Sequence, residues 1–273
     1  GRLPVGVPLA RLGRSAGMSF AAYIESLTAI LHSVAERQAD NIRQAGFYVA
    51  DAIHRGGIVH AFGTGHSHLI AEEAFFRAGG LVPVNPILHP RLVFLRGAIE
   101  STHAEREPGF AAQLIAAAGV TSRDAALIVS NSGRNAAPVE MALEMKSRGA
   151  RTIAITSLRH SQSAPATHAS GKRLFELADI VIDNGAPPGD ALMALAGVTA
   201  ALGPVSTITG AAIVHSIMIE AAMELARRHV DVPVFQSANR PDARDDVLKN
   251  LMEPHRGRIR YFGWSDRGEE ETL

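Results

Sequence analysis

Four apolar residues in a row, Ala126-Leu127-Ile128-Val129, run straight into Ser130-Asn131-Ser132-Gly133-Arg134-Asn135. An unbroken apolar run closed by small polar residues and a glycine reads as a strand of a parallel sheet, buried on both faces. Pro138 follows, and Val139, Ala142, Leu143 and Met145 then recur at helical spacing, so the loop opens into an amphipathic helix. A strand, a hydroxyl-bearing turn and a helix N-terminus together make a place for an anion. The free N–H groups of the first helical turn point at it, the helix dipole favours negative charge, and the hydroxyls add donors. No acidic residue lies between Val129 and Glu140 to repel a phosphate. The alternative is an ordinary βα loop in which Ser132 or Asn135 only caps the helix.

Gly57-Ile58-Val59-His60-Ala61-Phe62-Gly63-Thr64-Gly65-His66-Ser67 repeats this logic earlier in the chain, with a helix expected from Leu69 to Ala78. Gly63-x-Gly65 lacks the third glycine and the downstream acid of a dinucleotide fingerprint. No Gly-Lys-Ser/Thr follows, which excludes a Walker A loop. Two such turns in one parallel sheet can meet at the carboxyl ends of neighbouring strands, where open α/β sheets bind ligands.

Gly63-x-Gly65-x-Ser67 followed by Ser130-x-Ser132-Gly133-x-Asn135 resembles the SIS (sugar isomerase) family of phosphosugar isomerases and phosphosugar-binding domains. The resemblance spans roughly residues 20 to 230. It implies a three-layer α/β/α sandwich with a parallel, doubly wound sheet and added N-terminal helices. It also implies that both loops hold a sugar phosphate through hydroxyls and backbone N–H groups. That assigns substrate contacts to Gly63, Thr64, Gly65, His66 and Ser67, and to Ser130, Asn131, Ser132, Gly133 and Asn135. The family often has Thr where this chain has Asn135. The chain looks most like the branch holding phosphoheptose isomerase and the N-acetylmuramic acid 6-phosphate etherases, and a further single-SIS group stands nearest. Proteins of this branch usually self-associate, so a homodimer or homotetramer is implied.

Composition closes off other classes. Lys+Arg and Asp+Glu are equal at 27 each, so no net field recruits nucleic acid or an acidic membrane. The absence of cysteine removes disulfides, thiolate metal sites and a Cys nucleophile, and fits a cytoplasmic location. No apolar run reaches the roughly 18 residues of a membrane span. Gly1 to Gly17 lacks the apolar core of a signal peptide and reads as a flexible arm.

In order, the chain divides into the arm (1–17), a helical segment (18–56), the phosphosugar-binding domain (57–230) and a C-terminal extension (231–273). Leu81 to Ile87 reads as an edge strand, because Pro83 and Pro86 cannot donate to a central ladder. Residues 88–107 form a polar insertion, Arg151 to Ser157 a further strand, and Ala178 to Asp183 the last one. A turn-rich loop from Asn184 to Leu192 precedes a long apolar helix from Gly203–Pro204 to about Arg228. Phe235 to Asn239 is placed to reach back to a site, and Ser265 to Leu273 reads as disordered.

Thr156 and Ser157 end a strand on the ligand side and are candidate sugar contacts. In phosphoheptose isomerase the helix after the first loop supplies a His and, four residues on, a Glu; those places fall at Glu73 and Arg77 here. His215 matches a histidine of that family's late helix, and Thr207 stands where the isomerase has Gln. With two or three zinc positions changed, no metal is carried over and no cofactor is implied. His66 and His68 cannot share a helical face as a metal pair. Glu73 and His215 remain as candidate base and acid, with Glu105 or Glu107 as substitutes for the missing acid. The reaction expected is aldose–ketose isomerisation of a sugar phosphate or amino-sugar phosphate. An etherase-like lyase and a non-catalytic phosphosugar sensor or adaptor are the alternatives.

Overall fold

The computed structural model describes residues 19–241 and 243–263. The expected arm and the expected disordered tail from Ser265 lie outside the described residues. Two helices come first, α1 (Phe20–Arg37) and α2 (Ala39–His54). On α2 the buried positions Ile42, Ala45, Gly46, Val49, Ala50 and Ala52 lie on one face at the spacing of an amphipathic helix. Strand β1 (Val59–Gly63) leads through a 3₁₀ turn at Gly65–Ser67 into α3 (His68–Glu73). Then come β2 (Val84–Ile87), α4 (Ala98–Ala104), α5 (Phe110–Ala118), β3 (Ala125–Val129), α6 (Ala136–Ser147), β4 (Arg151–Thr156), α7 (Leu158–Gln162) and β5 (Ile180–Asp183). A hairpin, β6 (Ala191–Met193) with β7 (Leu202–Pro204), precedes α8 (Ser206–Arg227), and α9 (Asp245–Met252) lies in the extension.

The sheet order is β2-β1-β3-β4-β5, all parallel. Successive residues of the strands face opposite sides, which divides the core in two. Ala61, Leu127, Val129, Ile153, Ile155 and Ile182 pack with α2, α3 and α8. Phe62, Ala126, Ile128 and Ala154 pack with α5 and α6 on the other face. The three-layer, doubly wound α/β architecture expected from the sequence is therefore present. Gly46 lets α2 and α8 touch: a Cβ there would lie 2.4 Å from the Cβ of Glu220.

Several boundaries differ from the sequence reading. Helix α3 ends at Glu73, not Ala78, because Phe76 takes a left-handed backbone (φ 42°). Phe76 turns to pack against Phe235 and Phe262 of the extension. Phe235 pairs with Gly79 and Gly80 just ahead of β2, so this stretch braces the sheet and does not reach the ligand loops. Helix α6 opens at Ala136, two residues before Pro138. The hairpin β6–β7 occupies ground expected to be a loop, and α8 starts after it, at Ser206. By length and composition alone α8 could cross a membrane, with a mean hydropathy of 1.4 over its most apolar stretch, but His215 and Glu220 interrupt it and no unbroken apolar run of that length occurs. Its buried residues, among them Ile213, Val214, Ile217 and Leu225, are packed in the core, which accounts for the apolar character.

Candidate functional site

Gly63 pairs with Val129 in the β1–β3 ladder, so the two hydroxyl-rich loops leave the sheet side by side and at one level. With sheet order 2-1-3-4-5, the chain reverses its winding between β1 and β3, and the crevice opens there. At Gly63 the loop folds back so tightly that a Cβ would lie 2.3 Å from the Ser67 carbonyl oxygen. Gly65 follows with φ +52°, and its N–H donates to the Leu92 carbonyl at 2.9 Å. In the second loop the Gly133 N–H donates to Ser130 Oγ at 3.1 Å, which commits Ser130 to shaping the turn. Gly133 itself has φ +58° and sits against Leu174, Ser161 and Thr156.

Ser67 and Ser132 are half-buried, and among the described residues neither hydroxyl makes a hydrogen bond. No side chain caps α6 either: Asn135 occupies the N-cap position but turns its amide elsewhere. The plain capping role open to Ser132 and Asn135 is thus not used. Asn131 spends its carbonyl on the Ser157 N–H and the Thr156 hydroxyl, at 3.2 and 3.3 Å, and its side-chain oxygen on Asn184. Thr156 and Ser157 are fully buried; Ser157 Oγ donates to the Ala186 carbonyl at 2.6 Å and accepts the His160 N–H. These two, expected as sugar contacts, spend their hydroxyls here on the Asn131 and Ala186 carbonyls. His66 is exposed beside the Phe94 ring, while His68 is buried against the Gly65 carbonyl. Both rings meet Phe94 edge-on, with centroids 4.7 Å from it for His66 and 5.6 Å for His68.

One carboxylate spans both loops. Glu105, just after α4, accepts from Thr64 Oγ1 at 2.8 Å and from Asn135 Nδ2 at 2.7 Å. Burial pushes its carboxyl above the ordinary glutamate value, and the Thr64 hydroxyl and Arg106 only partly reverse the shift. The polar insertion thus delivers a desolvated acid to the centre of the crevice. Its neighbours Arg91, Glu100 and Glu107 form an ion-pair group that pins the insertion, with Arg91 donating at 2.5 and 2.7 Å. The sequence weighed Glu105 against Glu107 without separating them. The distinguishing feature is three-dimensional, since only Glu105 meets uncharged donors from both loops.

The second constellation lies between α3 and α8. His215 Nε2 stands 2.9 Å from Glu73 Oε1, so the paired candidates do meet. Arg77 pairs with the same carboxylate oxygen and lies 3.5 Å from His215 Nε2. Burial, and then the Arg77 cation, hold His215 below its usual pKa. Thr207 lines the same groove as Glu73. A zinc ion does not fit here, because a guanidinium meets the atoms that would ligate it and carries a fixed positive charge. Among the described residues, no three His, Cys, Asp or Glu side chains gather as a metal site.

The SIS domain family matches residues 22–157, a span that contains both loops and the insertion. A UPF0309 protein from Geobacillus thermodenitrificans is 41% identical over 237 residues, covering 87% of this chain and 95% of the relative. The chain belongs to the UPF0309 family of SIS-domain proteins. Its Listeria innocua relative is 40% identical over 241 residues, covering 88% of this chain and 97% of that one. Among solved structures, a phosphoheptose isomerase from Neisseria gonorrhoeae aligns at 15% identity with a TM-score of 0.49, covering 73% of this chain and 95% of that one. In this SIS protein, then, loops, insertion and late helix supply three sets of groups: two unpartnered hydroxyls, one bridging carboxylate, and a Glu–Arg–His cluster.

Proposed function

We propose that the protein binds a phosphorylated sugar or amino sugar at the β1–β3 crevice and interconverts its aldose and ketose forms. The observation that carries the reading is the pair of free hydroxyls, Ser67 and Ser132, on loops set level by the Gly63–Val129 pairing and backed by the uncapped N-terminus of α6. A phosphate dianion satisfies all three, and the helix dipole favours its charge. Anchored there, the open-chain sugar extends its C1 and C2 toward a proton-moving group. Glu73 with His215 is one such group and Glu105 is the other. A carboxylate removes the proton from one carbon and returns it to the next, and the remote phosphate contact supplies orientation.

A second reading has its own support. Arg77 already neutralises Glu73, which suits a structural ion pair, and hence a phosphosugar sensor or adaptor, as well as it suits a base. An etherase-like elimination would draw on the same enolising carboxylates. The test starts from binding: a panel of sugar phosphates is screened for thermal stabilisation, then for turnover. Ser132→Asp places a carboxylate where the phosphate is expected and should abolish stabilisation while the variant stays folded. If this variant binds as the parent does, the loop is not a phosphate site. Binding without turnover of any panel member favours the sensor.

A further inference from the structure

The two flanks of the second loop carry opposite charge. On the β1 side stands the Glu105 carboxylate, tied to Thr64 and Asn135. On the β4 side stands Arg134, the residue after Gly133. Its Nε is buried with no hydrogen-bond partner, and among the described residues no carboxylate forms an ion pair with it. Below it, Ser161 is fully buried and its hydroxyl has no partner either; it lies 3.3 Å from where a Cβ on Gly133 would be. Buried donors are seldom left unmade, because each costs the desolvation of the group without return. Two of them flanking one glycine of a ligand loop point to a ligand group that completes them.

His160 adds a third donor. Its Nδ1 accepts the Gly189 N–H at 3.4 Å, which leaves the proton of the neutral ring on Nε2. The ring senses Arg134: burial first, and then that cation, lower its pKa, with Asp190 opposing. Asp190 keeps its charge but forms no ion pair with Arg134 among the described residues, its oxygens accepting from the Val205 and Ser206 N–H groups and the Ser206 hydroxyl. The main chain around Arg134 is held in place as well, with Thr167 Oγ1 donating to its carbonyl at 2.7 Å. A guanidinium, presented this way beside an imidazole donor, suits a carboxylate or phosphate oxygen pair. It lies two residues past Ser132, within roughly 7 Å along the chain, which is the scale of one sugar ring.

We infer that the substrate carries a second anionic group, a carboxylate or a second phosphate, held by Arg134 and His160 while Ser67 and Ser132 hold the first phosphate. This rests on the phosphosugar reading above and narrows it to sugar-acid phosphates or sugar bisphosphates. Glu105 on the opposite flank repels such a group, so the charge pattern also fixes which way round the sugar lies.

The test measures affinities of the full chain for glucose 6-phosphate, gluconate 6-phosphate and fructose 1,6-bisphosphate by calorimetry. The parent should bind at least one doubly anionic probe about tenfold or more tightly than the monophosphate, the scale of one charged hydrogen-bonding contact. The probe preferred tells carboxylate from phosphate. In Arg134→Gln that preference should vanish while glucose 6-phosphate affinity and the thermal unfolding midpoint stay near the parent's. His160→Gln should reduce the preference by a few fold. Equal weakening of all probes by Arg134→Gln would place Arg134 on the first phosphate and overturn the inference. A parent with no preference overturns it too, while leaving the phosphosugar reading intact. If the parent binds none of the probes or the wider panel, the phosphosugar reading fails and takes this inference with it.

Discussion

His215 Nε2 lies 2.9 Å from Glu73 Oε1, joining the end of α3 to the middle of α8 across 142 residues of chain. The imidazole is kept below its usual pKa by burial and by Arg77, so near neutral pH it is a neutral ring held against a carboxylate. That is a working arrangement for a proton relay, and it is equally a means of fixing α8 to α3. Activity separates the two.

Glu73→Gln keeps the size and one hydrogen-bond acceptor but cannot take up a proton. With a substrate in hand, turnover should fall by roughly 10² or more while phosphosugar affinity changes little. With its folded pKa depressed, His215 can serve as acid near neutrality only from its neutral ring, by Nε2–H; the limb at which that form is lost should therefore lie below the ordinary imidazole value of about 6.5. Near-normal turnover in the Gln variant would transfer the role to Glu105. A loss of affinity with turnover intact would make Glu73 a sugar-hydroxyl ligand.

Glu105 gives a stability prediction that needs no substrate. Its folded pKa is raised, chiefly by burial, so the folded state binds the proton more tightly than the unfolded chain. Its contribution is then fully present below the unfolded value of about 4.3 and is lost as pH rises through the folded value. Urea unfolding should show the parent losing stability relative to Glu105→Gln between pH 4 and neutrality. Glu105→Ala should cost about 1–3 kcal/mol at acid pH, because Thr64 and Asn135 lose their acceptor, and less as pH rises through the folded value. A parent-minus-Gln difference that stays flat with pH would mean that the carboxyl is not desolvated.

Much of this was legible in the sequence, for physical reasons that can be named. The run Ala126–Val129 could only be a doubly covered strand, and Gly63 and Gly133 marked turns that a side chain would block. Glu73 and His215 were paired before their contact was visible, through a resemblance and not through spacing. What stayed hidden depends on tertiary contact. Thr156 and Ser157 carry the right chemistry at the right strand end, yet their hydroxyls turn into the scaffold. Helix α3 stops early because Phe76 is drawn toward Phe235, more than a hundred residues away, and no local signal announces it. Glu105 emerged from an aperiodic insertion for the same reason.

The extension is tied to the core through a buried charge. Asp124, fully buried, accepts from the Ile58 N–H, from the Thr121 N–H and hydroxyl, and from Arg258 Nη2 at 2.8 Å, with His60 3.4 Å away. Burial would raise its carboxyl, but His60 and the Ile58 and Thr121 N–H groups outweigh it and hold the group well below the carboxylate range. A depressed pKa contributes stability above the unfolded value of about 3.9, lost only as pH falls through the folded one. Asp124→Asn should therefore cost about 3 kcal/mol or more at neutral pH, by the logic of a broken buried pair. Arg258→Met should cost less, about 1–3 kcal/mol, since His60, Ile58 and Thr121 remain. Chemical denaturation of both variants checks the ranking, and an Arg258→Met penalty equal to that of Asp124→Asn would mean that the extension carries the whole network.

The last prediction concerns assembly. Exposed apolar side chains cluster on the helices that cover one face of the sheet: Phe20 and Ile24 on α1, Phe47 on α2, and Ile208, Ile219 and Met223 on α8. Ile219 and Met223 are 60% and 53% exposed and stand one helical turn apart, on a different face of α8 from the buried Ile213 and Ile217. Large apolar side chains left exposed on one set of helices are the kind of surface that another protein surface covers. The closing of point-group symmetry makes a second copy of the chain the economical occupant. The groove holding Arg77 and His215 is lined by Ile219 as well, so association there would also cover the Glu73–His215 pair. Light scattering at micromolar concentration should give a multiple of the 28.9 kDa chain mass, as a dimer or tetramer. Ile219→Glu with Met223→Glu should convert it to monomer and leave the fold intact by circular dichroism. A parent that scatters only as a monomer would sink the prediction and leave the patch without a partner.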